Sequence, residues 1–382
     1  MFFRNGRIGV IKMFNYKHYI PILRWKAAEK EALGKLGKEE KELITPLIEL
    51  IMPQPEYMVK DGEDTRIKSP EELLNESIEM FKSKVKEIPN EIAKFWGIAP
   101  AFVDLSLIDF SLRIDGVGRI MELGEELKLC LVPVVGLSSI PELKKISNVC
   151  NKKYKHGLCL RLFRNDFEKA SFQDNIKDFL TEYELSEDDV DIVIDFQITD
   201  SKCLEMGNYV GKLPDISRWR TLTVVSGTFP KDLSQLSPDM HFIDRSDFIY
   251  WVNQVNSDGL SRKPAFGDYT IQHPIFIEPA PGANPSASIR YTTNDKWLIM
   301  RGLALRGEIK GIKSPGHAQY PLLARLLTEQ KEFFGADFSY GDGYISEMAN
   351  IDTKKTGNPR TWLRAGINHH LACTISQVSS LS

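Results

Sequence analysis

Eight short apolar runs, separated by stretches with helical patterns, fill the chain from Ile20 to Ile271. The runs are rich in Val, Ile and Leu, as expected of parallel strands that are buried on both faces. They are Ile20–Trp25, Thr45–Met52, Ala101–Ile108, Leu129–Val135, Gly157–Phe163, Val190–Phe196, Thr221–Val225 and Pro264–Ile271. The alternation predicts an α/β fold with a (β/α)8 TIM-barrel-like domain. An open doubly wound sheet is the main alternative, but no Gly-rich phosphate-binding sequence follows the first run.

The pattern changes after the eighth run. Pro279–Ser286 is rich in Pro, Gly, Ala and Ser, as linkers are. Ser288–Thr293 and Lys296–Gly302 predict a hairpin, Pro321–Phe334 predicts a helix, and Thr361–Ile375 predicts a last helix or strand. We therefore expect three parts: a candidate disordered extension at 1–18, the barrel at 19–278, and a C-terminal α+β appendage at 279–382 that packs on the barrel.

Composition narrows the classes of partner. The net charge of -3 argues against a general polyanion binder, so nucleic acid is an unlikely partner unless a local basic groove exists. The five cysteines form no CxxC pair, which favours a reducing cytoplasm over a disulfide framework or a thiolate zinc site. No apolar run reaches the roughly 18 residues of a membrane span.

Several short motifs resemble those of the beta-protein family of phages and bacteria, and the resemblance extends from about Tyr19 to the C-terminus. It implies a soluble protein of phages or of mobile and defence-linked bacterial loci, with a protein partner from the same locus as one expectation. It implies no established reaction and assigns no catalytic residue. The segments are Tyr19–Lys26 with Glu29, Arg220–Pro230, Phe266–Pro274, Ile289–Arg301, Gly341-Asp342 and Trp362–His370.

Charged and polar side chains interrupt the apolar runs near their C-terminal ends, where barrel proteins place their active sites. A ring of carboxylates with cationic neighbours could bind a divalent metal, supply an acid–base pair, or receive a phosphate on Arg161. Alternatively, these groups are buried ion pairs that fix the barrel interior. The candidate catalytic residues are Lys26, Glu49, Asp104, Asp195, Asp268 and His369, and the candidate ligand-binding residues are Arg24, Arg161, Tyr269, His273, Asn368 and His370.

The triplet Asn368-His369-His370 is the sharpest local motif. Adjacent histidines diverge on either a strand or a helix, so they do not bind one metal together. One of them could be a ligand or a general base that Asn368 orients, or the triplet could be a capping Asn beside a packed His. If the appendage folds over the barrel rim, we expect His369 or His370 to approach Asp268 and to complete one composite pocket.

Three functions remain open. The first is a hydrolase or lyase that acts on a phosphorylated or nucleotide-like small molecule, although no known nucleophile motif is present. The second is a sensor or partner-binding protein, which a plugged barrel mouth and an apolar patch near Trp362 would favour. The third is nucleic-acid processing, which the slightly acidic charge disfavours.

Overall fold

The computed structural model describes residues 14–61, 64–200, 205–278, 282–309 and 311–381. Its strands, in chain order, are β1 (Tyr19–Arg24), β2 (Leu47–Ile51), β3 (Met58–Asp61), β4 (Asp64–Ile67), β5 (Ala101–Leu107), β6 (Leu131–Val135), β7 (Leu158–Phe163), β8 (Val190–Ile198), β9 (Thr221–Gly227), β10 (Met240–Asp244), β11 (Ala265–Asp268), β12 (Ser286–Thr292), β13 (Lys296–Ala304), β14 (Glu308–Ile309) and β15 (Ile312–Lys313).

Helices connect these strands on the outside. They are α1 (Ala27–Leu33), α2 (Lys38–Glu42), α3 (Pro70–Lys84), α4 (Ile88–Phe95), α5 (Arg113–Glu126), α6 (Pro141–Tyr154), α7 (Arg164–Phe167), α8 (Phe172–Tyr183), α9 (Met206–Lys212), α10 (Ser246–Val255), α11 (Tyr320–Thr328), α12 (Tyr340–Ala349) and α13 (Pro359–Ser379). Short 3-10 turns lie at Val85–Glu87, Phe110–Leu112, Glu187–Asp189 and Gly316–Gln319. Among the described helices, none combines the length and the apolar character that crossing a bilayer requires.

Eight of the strands pair in parallel and close into a barrel, in the order β1-β11-β9-β8-β7-β6-β5-β2. The predicted (β/α)8 class is therefore confirmed. Each predicted apolar run supplies one barrel strand, because strands covered by helices outside and packed side chains inside are apolar on both faces. The interior is filled by residues such as Phe102, Val132 and Val193, with no more than 5 % exposure along this inner cluster apart from Phe14 at its base.

The proposed N-terminal extension is only partly tested. Residues 1–13 lie outside the described residues. Phe14 packs against the cluster inside the barrel, and His18 bonds to the Thr45 hydroxyl at 2.9 Å. Residues 14–18 therefore contact the barrel, and the bounds of the extension remain a proposal.

The C-terminal elements form an antiparallel sheet, β10-β13-β12, with α11 packed on one face and α12 packed against α11. The hairpin β12–β13 is as predicted, but β10 comes from the chain between β9 and β11 of the barrel and was not anticipated. Because the sheet uses strands from both sides of residue 278, the division at 278/279 remains a proposal. The segment Thr361–Ile375, for which the sequence predicts a helix or a strand, lies in the long helix α13.

Helix α13 lies between the barrel and the appendage. It packs against α1 and β1 on one side and against β12 and α12 on the other. Asn358 caps its start by accepting from the Thr361 N–H at 3.1 Å, and Pro359 occupies the first helical position. Buried residues occur all around this helix. Such a pattern is typical of a helix inside a protein rather than on its surface.

Candidate functional site

Five side chains close the C-terminal mouth of the barrel, and we call them the mouth network. Arg161 on β7 lies at its centre. Its Nη1 donates to Glu49 Oε1 at 2.9 Å and to Asp104 Oδ2 at 2.6 Å. Its Nε and Nη2 donate to Asp195 Oδ2 at 2.9 Å and 2.5 Å, and Nη2 also donates to the Tyr269 hydroxyl at 2.9 Å. None of the five is more than 4 % exposed.

Arg161 has no donor left for a ligand. A guanidinium carries five N–H groups, and the five hydrogen bonds above use all of them. The remaining oxygens of Asp104 and Asp195 accept from the backbone N–H groups of Ser106 and Gln197, both at 2.7 Å. Each of these buried charges is thereby paired and hydrogen-bonded. The expected role of Arg161 in receiving a phosphate would require breaking one of these bonds.

Glu49 is the least satisfied carboxylate of the mouth network. Its Oε2 has no hydrogen bond and faces Arg24 Nε at 3.6 Å. Burial raises the pKa of Glu49, although the charge of Arg161 opposes that rise. Glu49 is therefore the one member of the mouth network with a carboxylate oxygen available to a proton.

The segment after β11 folds over the β1 side of the mouth. Arg24 Nη2 donates to the carbonyl of His273 at 2.9 Å and to the next carbonyl at 2.6 Å. Lys26 Nζ lies 4.6 Å from the centre of the Phe276 ring, and burial lowers the pKa of this lysine. His273 contributes its carbonyl rather than its ring to the mouth, because its Nδ1 accepts from the Ile275 N–H at 3.2 Å.

Asp268 turns away from the mouth, because successive strand residues alternate between faces and Tyr269 points inward. Its Oδ1 accepts from the Tyr19 hydroxyl at 2.5 Å, and its Oδ2 lies 2.9 Å from His370 Nε2. Burial lowers the pKa of His370, so we infer a neutral ring whose Nε2–H donates to Asp268 while Nδ1 accepts from the Thr292 hydroxyl at 2.9 Å. The approach of a histidine to Asp268 is confirmed. The composite pocket is wrong, since this buried pair and the mouth network lie on opposite faces of the barrel wall.

His369 makes a second buried pair inside the appendage. Its Nδ1 lies 2.7 Å from Asp342 Oδ2, and its Nε2 lies 2.7 Å from the Thr292 carbonyl. A carbonyl only accepts, so Nε2 donates to the Thr292 carbonyl. The Tyr291 ring stacks on the imidazole at 3.8 Å, and its hydroxyl donates to Asp342 Oδ1 at 2.7 Å.

Asn368 completes the triplet by joining two helices. Its Oδ1 accepts from the Gly341 N–H at 2.8 Å, and its Nδ2 donates to the Ala32 carbonyl at 3.1 Å. Asn368, His369 and His370 are each at most 1 % exposed. Their contacts hold α13 to α1, α12, β11 and β12. The triplet therefore has a structural role in attaching α13 to the barrel and the appendage.

Asp247 supplies a pH-dependent prediction for the same region. Burial first, and the nearby charge of Asp268 second, raise its pKa from 3.8 to about 7. Because the folded-state pKa is the higher one, ionisation of Asp247 costs stability progressively as pH rises from 3.8 to 7. Asp247→Asn keeps the oxygen that accepts from the Phe248 N–H at 2.9 Å and removes the charge. We expect the stability of the variant relative to the natural protein to grow by about 2–3 kcal/mol between pH 5 and pH 8. Urea unfolding at both pH values measures it, and a pH-independent difference would contradict this assignment.

The predicted divalent metal has no assembled ligand set in the described ranges. The carboxylates of Glu49, Asp104 and Asp195 converge on the guanidinium of Arg161 rather than on a common point. Within the part of the chain that the structure describes, no group of three His, Cys, Asp or Glu side chains is arranged to hold a metal ion. A metal at the mouth would have to displace Arg161 first.

A polar cleft runs along the C-terminal ends of β5–β8, above the mouth network. A part of about 800 Å³ lies over β7 and β8 and includes Asp195, and a part of about 160 Å³ lies over β5 and β6 and includes Arg161. Ser138 and Phe163 line both parts. We call it the rim cleft, and its polar wall includes Ser106, Arg113, Ser138, Ser139, Arg164, Asn165, Asp166, Lys169, Gln197 and Asp200.

Gln197 is the unusual residue of this cleft. The pairing of β8 with β9 is irregular between Asp195 and Ile198, and Gln197 has a φ of 58°. A side chain in this left-handed region costs about 1–2 kcal/mol relative to ordinary backbone. Bulges and strained residues are frequent beside functional sites, where they redirect a side chain. The sequence prediction ended this strand at Phe196 and missed Gln197, whose polarity beside Asp195 was the only signal.

Comparison with known proteins identifies the family but no close relative. No curated protein matches the chain. Among solved structures, tryptophan synthase from Mycobacterium tuberculosis in space group F222 aligns with a TM-score of 0.34 and 11% identity, over 66% of this chain and 82% of that one. The open form of the M. tuberculosis enzyme with BRD0059 bound gives 0.24 and 11%, over 51% and 80%. These similarities are too low to carry an argument about function. The Beta protein family model matches residues 19–376, nearly the whole chain, and the chain belongs to this family.

Proposed function

We propose that this protein binds a small, polar, nucleotide-like molecule in the rim cleft. The first support is position. The cleft lies at the C-terminal ends of the barrel strands, where ligands of this fold bind. The barrel interior offers no alternative, because the mouth network is buried and Arg161 has no donor left.

The chemistry of the cleft wall suits such a ligand. Ser138, Asn165 and Gln197 present hydroxyl and amide groups, which both donate and accept hydrogen bonds, as the edges of a base and a ribose require. Lys169 and Arg164 supply positive charge at the same place. Asp166, Asp195 and Asp200 offset that charge, so the cleft favours a molecule with both polar and anionic parts over a bare polyanion.

The proposal rests mainly on the left-handed backbone conformation of Gln197. Its N–H donates to Asp195 Oδ1 at 2.7 Å, so the mouth network holds it in the left-handed conformation that faces the cleft. Folding around a strained glutamine, where glycine would be relaxed, indicates that the side chain is used.

Gln197→Gly separates binding from folding. Glycine adopts a positive φ without strain, so we expect stability to be unchanged or higher by up to about 1 kcal/mol. We expect binding to weaken at least tenfold, because the amide is lost. Isothermal titration calorimetry with the four common ribonucleosides and their 5′-monophosphates, on both proteins, measures the change.

Lys155→Gly is the matched control. Lys155 has a φ of 62° at the C-terminal cap of α6, and its side chain is exposed away from the cleft. It should gain the same relief of strain and keep full binding. The proposal fails if no nucleoside or nucleotide binds at millimolar concentration, or if both variants bind as the natural protein does.

Hydrolase or lyase chemistry is the second candidate, and it rests on Glu49. Its unbonded Oε2 and raised pKa are the properties of a general acid. Chromatography of the same titration mixtures would detect turnover. A non-catalytic role as a sensor is favoured by the closed mouth, but Trp362 is 1 % exposed and offers no apolar patch for a partner. The link to phages and defence, which the family resemblance implies, would make the ligand a signal produced during infection.

A further inference from the structure

We propose a second site, for a phosphate-type oxyanion, at Arg290 on β12. Among the buried arginines, Arg161 and Arg220 pair with carboxylates at 2.5 Å, and Arg245 bonds to the Thr293 carbonyl and to the side chains of Gln377 and Thr374. In the described ranges, Arg290 has no carboxylate within ion-pair distance. A charge removed from water without a counter-ion is costly, so folded proteins normally pair it. Arg290 therefore resembles one partner of an ion pair whose anion comes from solution.

The guanidinium of Arg290 is already oriented. Its Nη1 donates to the Ile271 carbonyl at 2.9 Å, and its planar group lies 4.8 Å from the centre of the Phe229 ring. Burial lowers the pKa of Arg290 to about 10. A fixed, partly desolvated fork with N–H groups to spare matches the geometry of an oxyanion.

Two neighbours on the same sheet face extend the site. Ser288 lies two residues before Arg290 on β12 and pairs with Arg301 of β13, whose Nε donates to Ser286 Oγ at 3.2 Å. Residues directly opposite share a face, and diagonal neighbours are within reach of long side chains. Ser288, Arg290 and Arg301 are each partly exposed, so solvent ions can reach them. Two guanidinium groups and a hydroxyl are the donors that phosphate groups bind in proteins.

Two acidic groups lie in the loop beside this face, and Asp232 interacts with the charge of Arg301. Asp232 and Asp239, in the loop beside Arg301, accept from the backbone N–H groups of Ser234 and Met240, both at 2.8 Å. Lys231 adds a further positive charge to this loop. His241, in the row of Arg290 and Ile299, bonds to a loop carbonyl at 2.8 Å. The site takes one small oxyanion, and it is independent of the rim cleft and of the proposed nucleotide.

Arg290→Met should change the melting temperature in the opposite direction to the loss of an ordinary structural arginine. Removal of an unpaired, desolvated charge should raise the melting temperature of the protein in chloride, whereas loss of an ordinary structural arginine lowers it. Inorganic phosphate, at ionic strength matched with chloride, should raise the melting temperature of the natural protein by mass action. The methionine variant should bind phosphate at least tenfold more weakly. Arg290→Lys should show an intermediate response, because it keeps the charge and loses the fork.

Arg306→Met is the matched control, since Arg306 is exposed, its Nη2 donates to the Gly282 and Ala283 carbonyls, and its backbone N–H donates to Asn284 Oδ1. It should keep the full response to phosphate. Sulfate tests whether the site takes oxyanions in general, and adenosine 5′-monophosphate that still binds to Arg290→Met is binding at the rim cleft. The proposal is overturned if phosphate and chloride act alike on the natural protein. It is also overturned if Arg290→Met lowers the melting temperature and keeps the phosphate response.

Discussion

Arg161→Ala is expected to destabilise the barrel by about 3–5 kcal/mol, a large part of the stability of an ordinary domain. The substitution leaves the carboxylates of Glu49, Asp104 and Asp195 buried without a cation. Removal of one partner from a buried ion network costs more than the network contributes, because the remaining charges stay desolvated. Chemical denaturation monitored by circular dichroism measures the loss.

Two further variants of the protein serve as controls for this result. Arg119→Ala removes an exposed arginine that pairs with Glu122 at 2.8 Å, and it should change stability by less than about 0.5 kcal/mol. A fourfold variant removes all charges of the mouth network together, and it should be more stable than Arg161→Ala. It combines Arg161→Met with Glu49→Gln, Asp104→Asn and Asp195→Asn. If Arg161→Ala is as stable as Arg119→Ala, the mouth network does not hold the barrel closed.

His369→Phe is expected to cost about 3–5 kcal/mol for a related reason. Phenylalanine preserves the stacking on Tyr291, but it removes the contact of the ring with the buried Asp342 carboxylate and leaves the Thr292 carbonyl without its side-chain donor. Both His369 and Asp342 are fully buried, so water cannot replace the lost bonds. The shift in the urea midpoint gives the size of the effect.

A double-mutant cycle isolates the pair. Asp342→Asn keeps an acceptor for the Tyr291 hydroxyl and removes the charge, so His369→Phe should cost less in that background. We expect a coupling energy of about 1–3 kcal/mol. Additive effects would show that the loss comes from packing around the ring and not from the bond between His369 and Asp342.

The barrel and the convergence of charges at its mouth could be predicted from the sequence. The barrel follows from the regular recurrence of apolar runs, and the convergence follows from the position of polar residues near the ends of those runs. Eight apolar runs imply eight strands, and polar residues near their ends meet at one rim. The roles within that rim could not be predicted. Whether Arg161 receives a ligand or saturates three carboxylates depends on five distances in three dimensions, and no local pattern encodes them.

Other failures have equally local causes. Adjacent strand residues such as Asp268 and Tyr269 face opposite ways, but which of them faces the mouth depends on the register of β11 beside β1. The bulge that positions Gln197 leaves no mark in the sequence, because Gln is neither a turn residue nor a strand breaker. Strand β10 was missed because its alternate residues Met240, Phe242 and Asp244 are exposed, which makes the apolar signal weak.

The central claim is that the ligand binds on the rim and not inside the mouth. A crystal structure of the natural protein grown with adenosine 5′-monophosphate tests it directly. We predict density for the nucleotide within hydrogen-bond distance of the Gln197 amide and of Ser138 or Asn165, with all bonds from Arg161 to Glu49, Asp104 and Asp195 intact. A nucleotide that displaces Arg161 and contacts those carboxylates would contradict the account, as would a complex in which the rim cleft stays empty.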